Sequence, residues 1–122
     1  MATLDYGQLV QGVEMTAGLD REAAERTIRA TLATLAERLG QDQLTALAAR
    51  LPDELQQAPR GAGAEPEPFP PEEFVRRVAI RTGTVQAGAW EQVRAVLATL
   101  RQSLAEMEQV RERLQDYDAL LT

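Results

Sequence analysis

Arginine and glutamate are the residues of this sequence whose spacing could do chemistry. Arg77 and Arg81 stand four residues apart, so both guanidinium groups would lie on one face of a helix. Such a pair can clamp an anion through paired hydrogen bonds, which makes both residues candidate contacts for a phosphate or an acidic partner. The alternative is ion pairing within the helix, because Glu73 precedes Arg77 by four residues and Glu72 precedes Arg76 by four.

Carboxylates are the only other abundant groups suited to acid–base work. Glu72 and Glu73 are adjacent, and Glu106 and Glu108 are two apart, so neither pair shares one face of a helix. Di-metal sites in helical bundles need inward glutamates with a Glu-x-x-His motif. The sequence has no histidine, so we expect these carboxylates to be surface charge and helix starts.

The missing residue types exclude further chemistry. Without cysteine or histidine, the chain has no thiolate nucleophile, no Ser-His triad and no usual zinc ligands. Gly61-Ala62-Gly63 is not followed by lysine, so it is not a phosphate-binding loop. We therefore expect no catalytic residue, no metal and no cofactor, and interpret the protein as non-enzymatic.

Charge and length limit the partners. The chain has 122 residues and a net charge of −6, and its 13 basic residues are all arginine. Nucleic acid and anionic membrane surfaces need clustered cations, so we expect neither as a partner. No apolar run approaches the roughly 20 residues of a membrane span, and no signal peptide is visible. We expect a cytoplasmic protein.

A proline-rich linker at residues 58–70 divides the sequence into two similar parts, residues 1–57 and 71–122. RATLATLAERL at Arg29–Leu39 matches RAVLATLRQSL at Arg94–Leu104 at seven of eleven positions, with an offset of 65 residues. An internal duplication is the simplest explanation. The length of the linker permits the two parts either to pack together or to move apart.

The sequence pattern predicts two helices followed by a shorter one in each part. Apolar residues recur every three or four positions, Gly18 and Gly83 stand where helices end, and Asp20 and Pro71 stand where helices begin. Gly40 is expected to end the second helix. No stretch alternates apolar and polar residues as a half-buried strand would. We therefore predict an all-α fold, in which two related three-helix repeats pack into one compact helical bundle.

The order of these features resembles the bacterial family named domain of unknown function 2267. The resemblance covers nearly the whole chain outside the linker and is carried by a set of apolar and capping residues: Tyr6, Leu9, Val13, Gly18, Ala30, Leu32, Leu35, Leu39, Leu51, Pro52, Glu54 and Leu55, then Phe74, Val78, Gly83, Ala95, Leu97, Leu100 and Leu104. It implies a duplicated helical bundle and a bacterial source, with no established activity or cofactor. One departure is Leu114-Gln115-Asp116-Tyr117, where the family tends to have a Leu-Pro turn.

Trp90 is the most informative single residue, because the 65-residue offset places Glu25 at its equivalent position. It either fills the seam between the repeats, faces a partner or lines a ligand pocket. Since each repeat is too small to bury its apolar faces alone, the repeats must pack on each other or on another chain. We expect a protein partner or self-association. The candidate interaction surface comprises Phe74, Trp90, Val110, Leu114, Tyr117 and Leu120. The alternative function is binding of a small apolar or anionic ligand between the repeats.

Overall fold

The structure is a computed structural model that describes residues 5–59, 65–104, 107, 112 and 114–121. Among the described residues all regular elements are helical, which confirms the predicted all-α fold. They are α1 (Tyr6–Ala17), α2 (Arg21–Ala48), a 3-10 turn (Asp53–Leu55), α3 (Pro71–Thr82), α4 (Gln86–Ser103), a second 3-10 turn (Gln115–Tyr117) and the short α5 (Asp118–Leu121).

Local capping fixes the helix ends. Asp20 accepts a hydrogen bond from the Ala23 amide at 2.8 Å and so begins α2, as the sequence predicts. Asp5 caps α1 in the same way. Gly18 and Gly83 end α1 and α3 in the left-handed conformation, with φ of 68° and 71°, which only glycine adopts without steric cost.

Gly40 interrupts the helix, as the sequence predicts. Its backbone is non-helical, with φ 79° and ψ 170°, so α2 (Arg21–Ala48) consists of two helical segments joined by a bend at this glycine. The prediction that Gly40 ends a helix is therefore confirmed. The bend matters for the packing, because the residues before the bend form the central part of the core, including Ile28, Leu32 and Leu35.

Helices from the two parts of the chain cross each other. Helix α1 contacts α2 and α4, α3 contacts α4 and α2, and α5 packs on α4. Buried residues of all these elements form one apolar core. The crossing of α1 and α4 is close at Gly12, where a Cβ atom would lie 3.1 Å from the Thr99 methyl carbon.

Two threonines 65 residues apart have the same local structure. The hydroxyls of Thr34 and Thr99 donate to the carbonyls of Ala30 and Ala95, both at 2.8 Å. The sequence predicts this bond back to the preceding helical turn. The similarity agrees with an internal duplication, which itself stays a prediction.

The linker is packed on the body of the protein where the structure describes it. The Glu67 amide donates to the Glu37 carbonyl of α2 at 2.9 Å. Phe69 is buried in the core, although prolines surround it in the sequence. Residues 65–70 thus form a strap across the second and third helices. Within the described part of the chain, no helix is both long and apolar enough to cross a membrane.

The close approach of α1 and α4 predicts different outcomes for two glycine substitutions. Gly88→Ala meets only ordinary contacts at 3.6 Å or more, so the better helix propensity of alanine raises the free energy of unfolding by about 0.5–1 kcal/mol. Gly12→Ala gains the same propensity but crowds the Thr99 methyl group, so its stability gain is smaller or reversed.

Urea unfolding of a double-mutant cycle checks this difference. Thr99→Ser removes the crowding methyl group and keeps the hydroxyl, so it restores the gain from Gly12→Ala. Equal gains for Gly12→Ala and Gly88→Ala in the wild-type background would contradict the expectation.

Candidate functional site

Helix α3 places three arginines near the point where it crosses α2. Pro70 and Pro71 begin the helix without leaving an unsatisfied amide, and the buried face of α3, which includes Phe74 and Val78, holds it in the core. Arg76, Arg77 and Arg81 then line a depression of about 230 Å³ together with Ile80, Glu73 and, from α2, Glu37.

Arg77 is the centre of this cluster. Its guanidinium lies 2.9 Å from Glu73 of its own helix and 3.4 Å from both Glu37 of α2 and Glu67 of the strap. The same guanidinium lies over the Phe69 ring, 4.0 Å from its centre, in the arrangement of a cation–π contact. One side chain therefore joins α2, α3 and the strap.

Arg81 forms a second bond across the two helices. Its Nη1 atom lies 2.9 Å from the Glu37 carboxylate and donates to the Thr34 hydroxyl at 2.5 Å. Arg76 points outward and lies 3.3 Å from Glu73, which it shares with Arg77. The pairing of Glu73 with Arg77 is one of the two that the helical spacing predicts. The other is replaced, because Arg76 binds Glu73 and not Glu72.

The arginines and glutamates of this cluster stabilise each other's charged forms. The hydrogen bond from Arg81 lowers the pKa of Glu37, and the hydrogen bond from Arg77 lowers the pKa of Glu73. The hydrogen bond to Glu73 in turn raises the pKa of Arg77. Arg77 and Arg81 are thus brought together, as predicted for an anion clamp, but carboxylates already occupy the positions that an anion would take.

The carbonyl of Phe69 is a second junction, next to the arginine cluster. It accepts hydrogen bonds from the Tyr117 hydroxyl at 2.7 Å and from Arg38 Nε at 3.1 Å. The Arg38 guanidinium also lies 5.4 Å from the centre of the Tyr117 ring, which packs edge-on against Phe74. Burial raises the pKa of Tyr117 to about 12, so its hydroxyl stays a donor at neutral pH.

The predicted interaction surface needs correction. Phe74, Leu114, Tyr117 and Leu120 are each 1% exposed or less. They fill the core of a single chain and leave no surface for a partner, because the C-terminal turns fold back onto α4. Val110 lies outside the described residues.

Trp90 is half-buried and packs against the core, which agrees best with the seam that the sequence offers as one alternative. Within the described ranges, the exposed large apolar side chains are instead Met15, Ile80 and Val85. Sequence reasoning missed them because each belongs to a helix or a helix start. The spacing of apolar residues predicts which side of a helix is buried, but not which single apolar residues stay exposed. Glu37 and Glu67 were also missed as partners of Arg77, since they are distant in sequence.

Among the residues that the structure describes, no group of three or more carboxylates is placed to hold a metal ion.

Removing the Tyr117 hydroxyl should loosen the strap. Tyr117→Phe keeps the buried ring and loses one hydrogen bond to the Phe69 carbonyl, so we expect the free energy of unfolding to fall by about 1 kcal/mol. Hydrogen exchange of the Glu67 amide should become faster. Tyr6→Phe is the matched control, since its hydroxyl donates to Glu25, away from the strap. Unchanged exchange at Glu67 in Tyr117→Phe would show that this bond does not hold the strap.

Acid should weaken the arginine cluster. Glu37 and Glu73 have lower pKa values in the folded protein than the ordinary value of 4.5, so the unfolded chain binds more protons. Their stabilising effect is complete above pH 4.5 and is lost as the pH falls through the folded-state pKa values.

Urea unfolding at a series of pH values between neutral and acidic measures this loss. Glu37→Gln cannot titrate at this position, so its unfolding free energy should depend less steeply on pH than that of the wild type. Identical pH dependence of the two proteins would remove Glu37 from the explanation.

Comparison with known proteins agrees with the resemblance noted in the sequence. None of the curated proteins compared with the chain matches it. The model of one family, described as "Uncharacterized conserved protein (DUF2267)", matches residues 6–120. This match includes the strap, the arginine cluster and the described helices, apart from Leu121 at the end of α5. The chain therefore belongs to the DUF2267 family.

Proposed function

We propose that this protein is a non-enzymatic module that binds another protein through the outer face of α3. One observation carries the proposal: Ile80 is 65% exposed and stands among the arginines that line the depression. Arginine is enriched in protein interfaces, and covering an exposed aliphatic side chain with a partner is favourable because it removes apolar surface from water.

The chemistry of this face indicates the kind of partner. Arg76 is the most exposed of the three arginines, and its bond to Glu73 is long at 3.3 Å, while Glu73 is held more closely by Arg77 at 2.9 Å. Arg76 can therefore accept a further carboxylate at little cost. The proposed partner is a protein segment that places an apolar side chain on Ile80 and an acidic side chain on Arg76.

The titration behaviour of the cluster supports a role without catalysis. A general acid or base works best with a pKa near the working pH. Glu37 and Glu73 have lowered pKa values and Arg77 has a raised one, so these groups stay charged at neutral pH. The sequence also offers no histidine or cysteine to replace them.

A second candidate is binding of a small anion in the same depression, which lies between the two parts of the chain. The observation in its favour is the lining by Arg76, Arg77 and Arg81. Glu37 and Glu73 line it as well and hold these guanidinium groups, so an anion would have to displace a carboxylate. A protein contact on Ile80 and Arg76 requires no such displacement, and we prefer it for this reason.

Affinity capture with matched variants tests the proposed interface. The wild-type protein, Ile80→Asp and Arg76→Glu are used to capture proteins from the native host, followed by mass spectrometry. Met15→Asp is the matched control, because Met15 is the comparable exposed residue of α1, at 78% exposure. We expect a captured protein that Met15→Asp retains and that both α3 variants lose by tenfold or more.

Titration calorimetry with that purified protein then gives its affinity for each variant. Equal capture by all variants would contradict an α3 interface. Heat from titration with inorganic phosphate that disappears in Arg81→Gln, with no protein lost by the α3 variants, would favour the small anion instead.

A further inference from the structure

The outer face of α3 carries a charge pattern that is complementary to itself. Glu72, Arg76 and Ile80 follow one another at steps of four residues, and all three are exposed. Steps of four place their side chains in one line along the helix, about 6 Å apart. The line therefore presents a negative group, a positive group and an apolar side chain in that order.

The two charges of this line are not consumed by contacts within the chain. None of the ion pairs between described residues includes Glu72, which is four residues before Arg76 and could have paired with it. Arg76 instead lies 3.3 Å from Glu73, which is held more closely by Arg77 at 2.9 Å. Glu72 and Arg76 are thus the charges of α3 that a second molecule can bind without breaking a close pair.

The other two arginines of the depression serve a different contact. Arg77 and Arg81 both bind Glu37, and so join the first half of the chain (residues 5–59) to the second half (residues 65–121). A partner that took these guanidinium groups would have to break that contact. We therefore expect a partner to use the outer line of α3 and to leave these two arginines in place.

We infer that the partner of this face is a second copy of the same chain, with the two α3 helices antiparallel. Such a pair of identical helices has a two-fold axis, so each contact occurs twice. When the axis lies halfway between Glu72 and Arg76, Glu72 of each copy faces Arg76 of the other. Both carboxylate–guanidinium pairs then form together. This inference rests on the proposed function, since it takes the same face of α3 and names its partner.

Ile80 supplies the apolar part of this contact. It stands six residues, or about 9 Å, beyond the level of the axis, so it reaches past the first turn of the other copy's α3 toward the strap. Pro68 and Pro70 of the strap are exposed. The proline rings of the second copy cover Ile80, which is 65% exposed in the single chain, and removal of this apolar surface from water favours association.

The contact is small, so the dimer is weak and reversible. Helix α3 has 12 residues and is about 18 Å long, whereas stable complexes bury roughly 800 Å² on each partner. Both charged pairs lie at the surface, so added salt should weaken the association. The dimer is therefore expected at high protein concentration and low salt.

Sedimentation velocity of the full-length protein, at concentrations from about 10 μM to about 1 mM, tests the dimer through charge exchange. Glu72→Arg and Arg76→Glu each place like charges opposite each other in both pairs, so each variant alone should lower the association constant by about tenfold or more. The double variant Glu72→Arg/Arg76→Glu exchanges the two charges and should associate as the wild type does. An equimolar mixture of the two single variants should do the same, because each contributes the charges that the other lacks.

The same exchange at Glu22 and Arg26 of α2 is the matched control, since this pair has the same four-residue spacing and is exposed. It should leave the association unchanged. A wild-type protein that stays monomeric up to about 1 mM, or a dimer that tolerates both single charge reversals, would overturn the inference.

Capture from the native host separates this result from the proposed function. A different protein that Ile80→Asp and Arg76→Glu both lose would uphold the α3 interface and overturn the second copy as its partner, if the pure wild-type protein is a monomer. Equal capture by all variants, together with a monomeric wild type, would refute both.

Discussion

Neither half of the chain has a sufficient apolar core of its own, and the rest of the structure follows from this constraint. A pair of helices buries too little apolar surface to offset the conformational entropy that folding removes. The crossing of α1 on α4 and of α3 on α2 solves the problem by letting each helix bury its apolar face against both halves. The crossing of these helices also determines the positions of the strap, the C-terminal turns and the arginine cluster, since each of them packs on α2, α3 or α4.

The strap shows how the crossing orders a segment that has no secondary structure of its own. Phe69 supplies a buried ring and a carbonyl, and the two junctions use both. Arg77 covers the ring, while Arg38 and Tyr117 bind the carbonyl. Proline cannot donate a backbone hydrogen bond, so the segment depends on these side chains and on the Glu67 amide.

Arg77 makes several contacts at once that a lysine could not make in the same way. The planar guanidinium of Arg77 reaches carboxylates in several directions and still stacks on a ring, which a lysine ammonium does not do in the same way. Individual exposed ion pairs contribute little to stability, but Arg77 and Arg81 share Glu37 and so form a network between the halves. The arginines and glutamates of the cluster balance in charge, within a chain of net charge −6.

Sequence reasoning succeeded where structure is local. Helical periodicity, the aspartate cap at Asp20 and the glycines at Gly18 and Gly83 depend on residues within one or two turns. It failed where position in the chain suggested exposure, since Tyr117 is near the C-terminus but fills the core. The approach of Glu37 to Arg77 spans 40 residues and follows from the crossing of α2 and α3, which no local spacing encodes.

The 65-residue offset also shows why the arginine cluster forms at the α2–α3 crossing and not at the α1–α4 crossing. Gly12 and Thr16 of α1 occupy the positions that Arg77 and Arg81 occupy in α3. At the α1–α4 crossing, glycine lets α1 approach Thr99 closely. At the α2–α3 crossing, Arg81 instead binds Thr34, the residue equivalent to Thr99. The α1–α4 crossing is a close backbone approach, whereas charged side chains bridge the edge of the α2–α3 crossing, so similar helices bury a glycine on one side and carry the arginine cluster on the other.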